Sequence, residues 1–588
     1  MNFNRKKYIK AVKKTAVITI ATAMLFTAYG CSSGGDSSKN STEETTAGIS
    51  DNSTGSIPVS VEDMFSDRDM EIGYDEQSAI NIKLENDSVS CDDSGVTIDG
   101  TVVTISREGV YVLSGTLSEG QIIVDTGDTD KVQLVLKNVD ITCKSSAAIY
   151  VKNADKVFIT TAKDSGNTLK TTGEFANIDD NNIDGVIFAK ADITLNGAGT
   201  LNIDCSSAHG IVCKDDLKLT SGTYNINAAS HALSGKDSVR IAGGTFNLTS
   251  KTASIHSENT ENTDNTEKGF IYIADGEFTI SSEKDGIKAG SSLTINGGNI
   301  NITKAEEGLE AMYIDINGGN INIVSDDDGI NASGGNSDSS KMQGDSSLYI
   351  KITGGTVNVV ARGDGVDSNG NIYITGGALY VTGPESNGDS ALDYEKEAVI
   401  TGGTVVAAGY SGMAVNFSSS STQGSMLVNI TNTVSGEVTL KDESGETLVS
   451  YTPQKSYNSV VISTPKIEVS KTYTVSMAGT ETSVTMDSLI YGEGMSMGGG
   501  GMGRPEDGNR PNGMEMPEDG ERPSGMERPE DGERPSGMEM PEDGERPSGM
   551  EMPEDGERPS GMERPEKGEK PSGNPQELPD NGESPSEM

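Results

Sequence analysis

The 588-residue chain has no tryptophan, only 5% aromatic residues, three histidines and five cysteines. The first shortage argues against an aromatic stacking platform as the main binding device. No Cys-x-x-Cys occurs, so zinc and redox readings have little support. Basic residues number 45 against 90 acidic ones, a formal net charge of −45. Nucleic acid and direct attraction to anionic polymers are disfavoured by that balance. The longest apolar run, Ala16–Phe26, is too short for a comfortable membrane span. No segment keeps a helical period over the needed length, and 15 of the 19 prolines fall in residues 492–588.

What is present is glycine, 72 residues of it, in a pattern. Turns recur at Gly222, Gly243-Gly244, Gly276, Gly297-Gly298, Gly318-Gly319, Gly354-Gly355, Gly376-Gly377 and Gly402-Gly403. Counted from the last glycine of each, the spacings are 22, 32, 22, 21, 36, 22 and 26. The two longest contain polar insertions, Glu258–Lys268 and Gly334–Gly344. Each repeat holds short alternating segments, as in Leu293-Thr-Ile295 and Asn299-Ile-Asn-Ile302, followed by an acidic step such as Glu307-Gly308-Leu309. Period-two alternation marks strands, and three short strands in about 22 residues make one coil of a parallel β-helix. The fold class read from the sequence is therefore all-β: a right-handed parallel β-helix over residues 58–417, with a small C-terminal β module and a disordered tail.

The flanks differ. Residues 1–30 read as an export signal, with a basic start, an apolar run and small residues before Cys31. Ala28-Tyr29-Gly30-Cys31 resembles a lipobox, which predicts lipidation of Cys31 and a membrane anchor through it. The expected location is the outer face of a bacterial cell membrane. Residues 31–57 read as a flexible linker. Residues 418–491 lose the glycine turn and read as a small β module covering the last coil. In 492–588, six 12-residue Met/Pro/Glu/Gly units begin at Met502 and end at Gly573, and nothing there could build a core. Cys91, Cys143, Cys205 and Cys213 are expected chiefly as small core residues, with any disulfide pairing open.

Acidic steps recur in one phase: Asp285-Gly286-Ile287, Glu307-Gly308-Leu309, Asp328-Gly329-Ile330 and Asp364-Gly365-Val366. Coils stack about 4.8 Å apart, so these carboxylates face one another at roughly that distance. Water and salt, raised pKa values or a bound cation can relieve the repulsion. Calcium, which takes six to eight oxygens at about 2.3–2.6 Å, suits such a row. Candidate metal ligands are Glu306, Glu307, Glu310, Asp327, Asp328, Asp364, Asp367, Asp389 and Asp393, with Asn331 as a neutral oxygen. Plain Asp-Gly turn chemistry is the competing reading. A lyase would add a basic residue, for which Lys288, Lys304 and Arg362 lie near the acids, though pairing with nearby carboxylates is the favoured explanation of each. His209, His231 and His256 read as corner residues. No catalytic residue is assigned.

Phe65-Ser-Asp-Arg-Asp69, Gly109-Val-Tyr-Val-Leu-Ser-Gly-Thr-Leu117, Lys131-Val-Gln-Leu-Val-Leu136 and His209-Gly-Ile-Val-Cys-Lys-Asp-Asp-Leu217 are further specific runs. With these the chain resembles the clostridial carbohydrate-binding β-helix family over about Val59 to Phe417. That resemblance implies a non-catalytic, calcium-containing binder of polygalacturonate-like or cellulosic polysaccharide, related in shape to pectate lyases. The alternatives are a calcium-dependent polysaccharide lyase and a structural or adhesion surface protein.

Overall fold

Because successive side chains of a strand point to opposite faces, each short alternating segment can bury one row and expose the other. In a computed structural model the described residues are 61–176, 181–259, 268–334 and 344–492. The segments expected as export signal and linker, Cys31, most of both polar insertions and the repeat tail lie outside them. All described residues fall in the first of two units, Met1–Gly501.

The described chain is all-β, with long sheets of parallel strands. Three strands per coil pair with their counterparts in the next coil, building three parallel ladders. In one unit the first ladder contributes Ser292–Ile295, the second Asn299–Ala305 and the third Leu309–Ala311. One coil later come Tyr313–Ile316, Asn320–Ser325 and Ile330–Ala332. Register follows the sequence repeat: Leu293 opposes Ile314, Ile300 opposes Ile321 and Leu309 opposes Ile330. The second ladder shows the packing consequence. Leu201, Tyr224, Phe246, Phe278, Ile300, Ile321, Val357, Leu379 and Val405 stack in consecutive register and are all buried. Tyr224, Phe246 and Phe278 lie nearly parallel, with ring centroids 5.2 and 4.7 Å apart, so the coil spacing is also a stacking distance. Cys143, Cys205 and Cys213 are buried within this core, and Cys91 packs at its edge.

Glycine is needed wherever two coils touch backbone to backbone. Gly319 has φ of +92°, and a Cβ there would lie 2.8 Å from the Gly298 carbonyl oxygen. Gly329, inside an acidic step, is excluded from substitution by space alone: its Cβ would meet Val359 Cγ1 at 2.2 Å and the Gly365 oxygen at 2.5 Å. Gly329→Ala is therefore expected to lower stability by about 1–3 kcal/mol, the usual cost of overpacking, read from the denaturant midpoint. A variant melting like the wild type would mean that the coils are less tightly stacked there.

At the far end of the coils the pattern changes to antiparallel. Tyr457–Ser463 pairs with the last second-ladder strand, Thr404–Gly409, and with Ser425–Val434. Val438–Lys441, Thr447–Tyr451, Thr472–Met477 and Thr480–Thr485 form a separate four-stranded antiparallel sheet with its own apolar cluster. At the near end, one helical turn, Val61–Met64, leads into a strap across the outer face of the first ladder. Asp69 in that strap is fully buried. It receives Lys156 at 2.6 Å and Thr194 Oγ1 at 2.6 Å, with Lys218 at 3.9 Å. Burial opposes its charge, but Lys156, Thr194 and Ser66 outweigh that and hold its carboxyl well below the usual range.

Candidate functional site

The third ladder turns its outward row into a line of chemistry. Register places His256, Lys288, Glu310, Asn331, Asp367 and Asp393 side by side on successive coils. The acidic steps run parallel to this row, since each glycine N–H donates to the acidic-step carbonyl of the next coil: Gly286 to Glu307, Gly308 to Asp328, Gly329 to Asp364. Carboxylates from the two rows then converge. Among the described residues two groups form, Asp285 with Glu307 and Glu310, and Asp328 with Asp364 and Asp367. Within each, one oxygen per residue lies within 4.8 Å of the others. All six side chains are half-buried.

The two groups are neutralised differently. In the first, the Lys288 ammonium contacts Glu310 and lies 3.3 Å from Asp285. Burial works against that charge, but Glu310 and Asp285 outweigh it and push the lysine pKa up. In the second, among the described residues, no basic side chain lies within ion-pair distance of Asp328, Asp364 or Asp367. Their contacts are backbone N–H groups: Asp364 donates to Asp328 at 2.7 Å, and Ser390 donates to Asp364. Burial first, and then repulsion from neighbouring carboxylates that include Asp389 and Asp393, raises Asp328 to about 6, Asp364 to about 7 and Asp367 to about 8.

Asn331 joins the groups. Only 8% exposed, it donates its Nδ2 to Glu307 at 3.2 Å, while its Oδ1 is buried and has no hydrogen-bond partner. A planar amide with its nitrogen turned to the preceding coil presents its oxygen to the other side, where Asp367 is its register partner. Three clustered carboxylates, with the unpartnered Asn331 oxygen on the adjoining strand, offer oxygen ligands of the kind a hard cation such as calcium takes.

Of the residues expected from sequence, Glu307, Glu310, Asp328, Asp364 and Asp367 enter these groups. Glu306 instead pairs with Lys284, Asp327 is exposed, and Asp389 accepts from Ser386 Oγ at 2.5 Å. Asp393 stands beside Asp367 in register but outside the group. Asp285 is missing from the expected set although it shares the phase of the acidic step. The histidines are more than corners: His209, His231 and His256 stack with centroids 5.0 and 4.0 Å apart. Burial lowers His209 to about 4 and His256 to about 3.

A pH dependence follows for the calcium-free protein. With folded pKa values above the ordinary carboxylate value of about 4, the folded state holds protons that the unfolded chain has released. The contribution of these three acids to stability then falls as pH rises from about 4 to about 8, while the lowered histidines act in the opposite sense up to about 6.5. Melting in chelator is expected to be lower at pH 8 than at pH 6.5, an interval that begins at the ordinary histidine value of about 6.5, and calorimetry at the two values checks it. A rise over that interval would contradict the burial of these charges.

A second polar surface lies on the second ladder. Thr245, Asn247, Glu277, Thr279, Asn299, Asn301, Asn320 and Asn322 line an open groove of about 400 Å³. Its amides are ordered in rows: Asn320 donates to Asn299 at 3.0 Å, and Asn247 to Asn225 at 2.8 Å.

A family model described as carbohydrate-binding domain-containing protein matches residues 99–337 and 313–494. A carbohydrate-binding domain-containing protein of Acetivibrio thermocellus is 38% identical over 229 residues, covering 38% of this chain and 79% of that protein. The solved gadolinium derivative of a polysaccharide lyase-like protein from C. thermocellum is 35% identical over 38% of this chain and 91% of its own, with a TM-score of 0.37.

Proposed function

The chain belongs to the carbohydrate-binding domain-containing family, and from that premise we propose that it is a non-catalytic polysaccharide binder using calcium at Asp328, Asp364 and Asp367. The coils are read as a right-handed β-helix, the sense that parallel crossovers nearly always take. Calcium would be held by those three carboxylates and Asn331 Oδ1, and its remaining coordination would accept uronate carboxylates of an acidic, pectin-like glycan. The observation that carries this reading is the cluster of three half-buried acids without a basic partner among the described residues, with the unpartnered oxygen of Asn331, the register partner of Asp367, on the adjoining strand. An otherwise strongly acidic protein thereby gains a way to hold an acidic polymer. Lipid on Cys31 would keep it at the cell surface.

Neutral, cellulosic glycans have the asparagine-lined groove as their place. Asn247, Asn299 and Asn320 each use one N–H on a neighbour in the row, Asn225, Glu277 and Asn299 respectively, and an amide has a second N–H to offer a hydroxyl. The lyase alternative needs a basic group that can surrender its proton. Lys288 is held charged by two carboxylates, and Arg362 is exposed and 3.6 Å from Asp326. Incubation with polygalacturonate and calcium decides between them: retention without unsaturated product supports the binder, and unsaturated absorbance would overturn it. Loss of retention in chelator separates calcium-assisted binding from a purely structural role.

A further inference from the structure

The two carboxylate groups occupy equivalent places in the repeat. Asp285 corresponds to Asp328, Glu307 to Asp364 and Glu310 to Asp367, each pair two coils apart along the third ladder. The remaining position of the set is Lys288 in the first group and Asn331 in the second. Where the second group has a buried amide oxygen without a partner, the first has an ammonium touching Glu310 and 3.3 Å from Asp285. The same four-residue frame is thus completed by a positive charge in one copy and by a neutral oxygen donor in the other.

We propose that Lys288 is a resident cation: it fills the first of two equivalent sites, closes that site to metal, and leaves the divalent ion to the second. The frame explains why one substitution suffices. An ammonium between two carboxylates supplies the counter-charge that a metal would supply, and its stem occupies the space an ion would need. A calcium ion entering there would have to displace an ammonium already paired with Glu310 and Asp285. At the second site the corresponding residue adds an oxygen and no charge, so the three acids keep their need for a cation. Lys288 therefore fixes how many ions the ridge carries and on which coils they sit.

The proposal rests on the calcium reading of the second site, and the test separates the two. Calcium is titrated calorimetrically into the full chain and into its variants, with the wild-type stoichiometry as reference. Lys288→Asn is expected to add one ion per chain, and the Lys288→Asn/Asp285→Asn double variant to return to the wild-type number. Asp285→Asn alone is expected to leave the number unchanged, and Asp364→Asn to lower it by one. An unchanged number in a Lys288→Asn variant that melts cooperatively would overturn the proposal. So would loss of one ion in Asp285→Asn alone, which would place metal in the first site beside the lysine; this arm decides even if Lys288→Asn does not fold. An Asp364→Asn variant with the wild-type number would overturn the calcium reading of the second site, while the gain in Lys288→Asn still decides the role of the lysine.

Discussion

Asp69→Ala is expected to cost about 3–5 kcal/mol of stability, the range for removing one partner of a buried ion pair. The carboxylate is fully buried and holds Lys156 at 2.6 Å, with Lys218 at 3.9 Å. Both lysines are themselves only 9% exposed, so neither can turn to water once the acid is gone. The strap also hangs on this residue through its carbonyl, which accepts from Thr220 Oγ1 at 2.8 Å and Asn196 Nδ2 at 3.2 Å. Arg68 adds a hydrogen bond to Gln133 at 2.8 Å and lies 4.4 Å from the Phe158 ring centre. Chemical denaturation with Asp69→Asn as a companion separates charge from shape. If alanine costs under about 1 kcal/mol, the strap is an accessory to the coils and not part of their stability.

Calcium is expected to raise the melting temperature of the wild type and to leave an Asp364→Asn/Asp367→Asn variant unmoved. A ligand at a hundred times its dissociation constant stabilises the folded state by about 2.7 kcal/mol if it does not bind the unfolded chain. Two further physical reasons make the effect large here. The three acids carry pKa values raised by burial and by neighbouring carboxylates, so near neutral pH the ion relieves a cost already present in the fold. The Asn331 oxygen, buried without a partner, gains one at the same time. Differential scanning calorimetry in calcium and in chelator, for both proteins at pH 8, reads the outcome. Equal shifts in the two would put the ion elsewhere on the chain.

Much of the fold is legible in the amino-acid sequence alone. A glycine period near 22 residues gives the three-strand coil, because only a constant repeat keeps apolar rows in register over so many units. The same period carries Glu310, Asn331, Asp367 and Asp393 onto one line, as the register shows. Neighbours in sequence are harder to sort. Glu306 and Glu307 read as one acidic pair, as do Asp327 and Asp328, but one member of each turns to a lysine or to solvent and the other into the group. The strap is beyond sequence reading for a different reason. Asp69 meets Thr194 and Thr220 at separations of 125 and 151 residues, and no local pattern encodes contacts that distant. The histidine stack falls between these cases: the 22-residue spacing of His209 and His231 is visible in the sequence, whereas their ring contact depends on side-chain packing.

The polysaccharide reading turns on whether glycan retention passes through the second carboxylate group. Retention on immobilised polygalacturonate, compared between wild type and Asp364→Asn/Asp367→Asn in calcium, measures it directly. The account predicts strong retention of the wild type and a loss of more than about tenfold in the variant, a change of roughly 1.4 kcal/mol or more. Equal retention of the two proteins, with both folded, would contradict it.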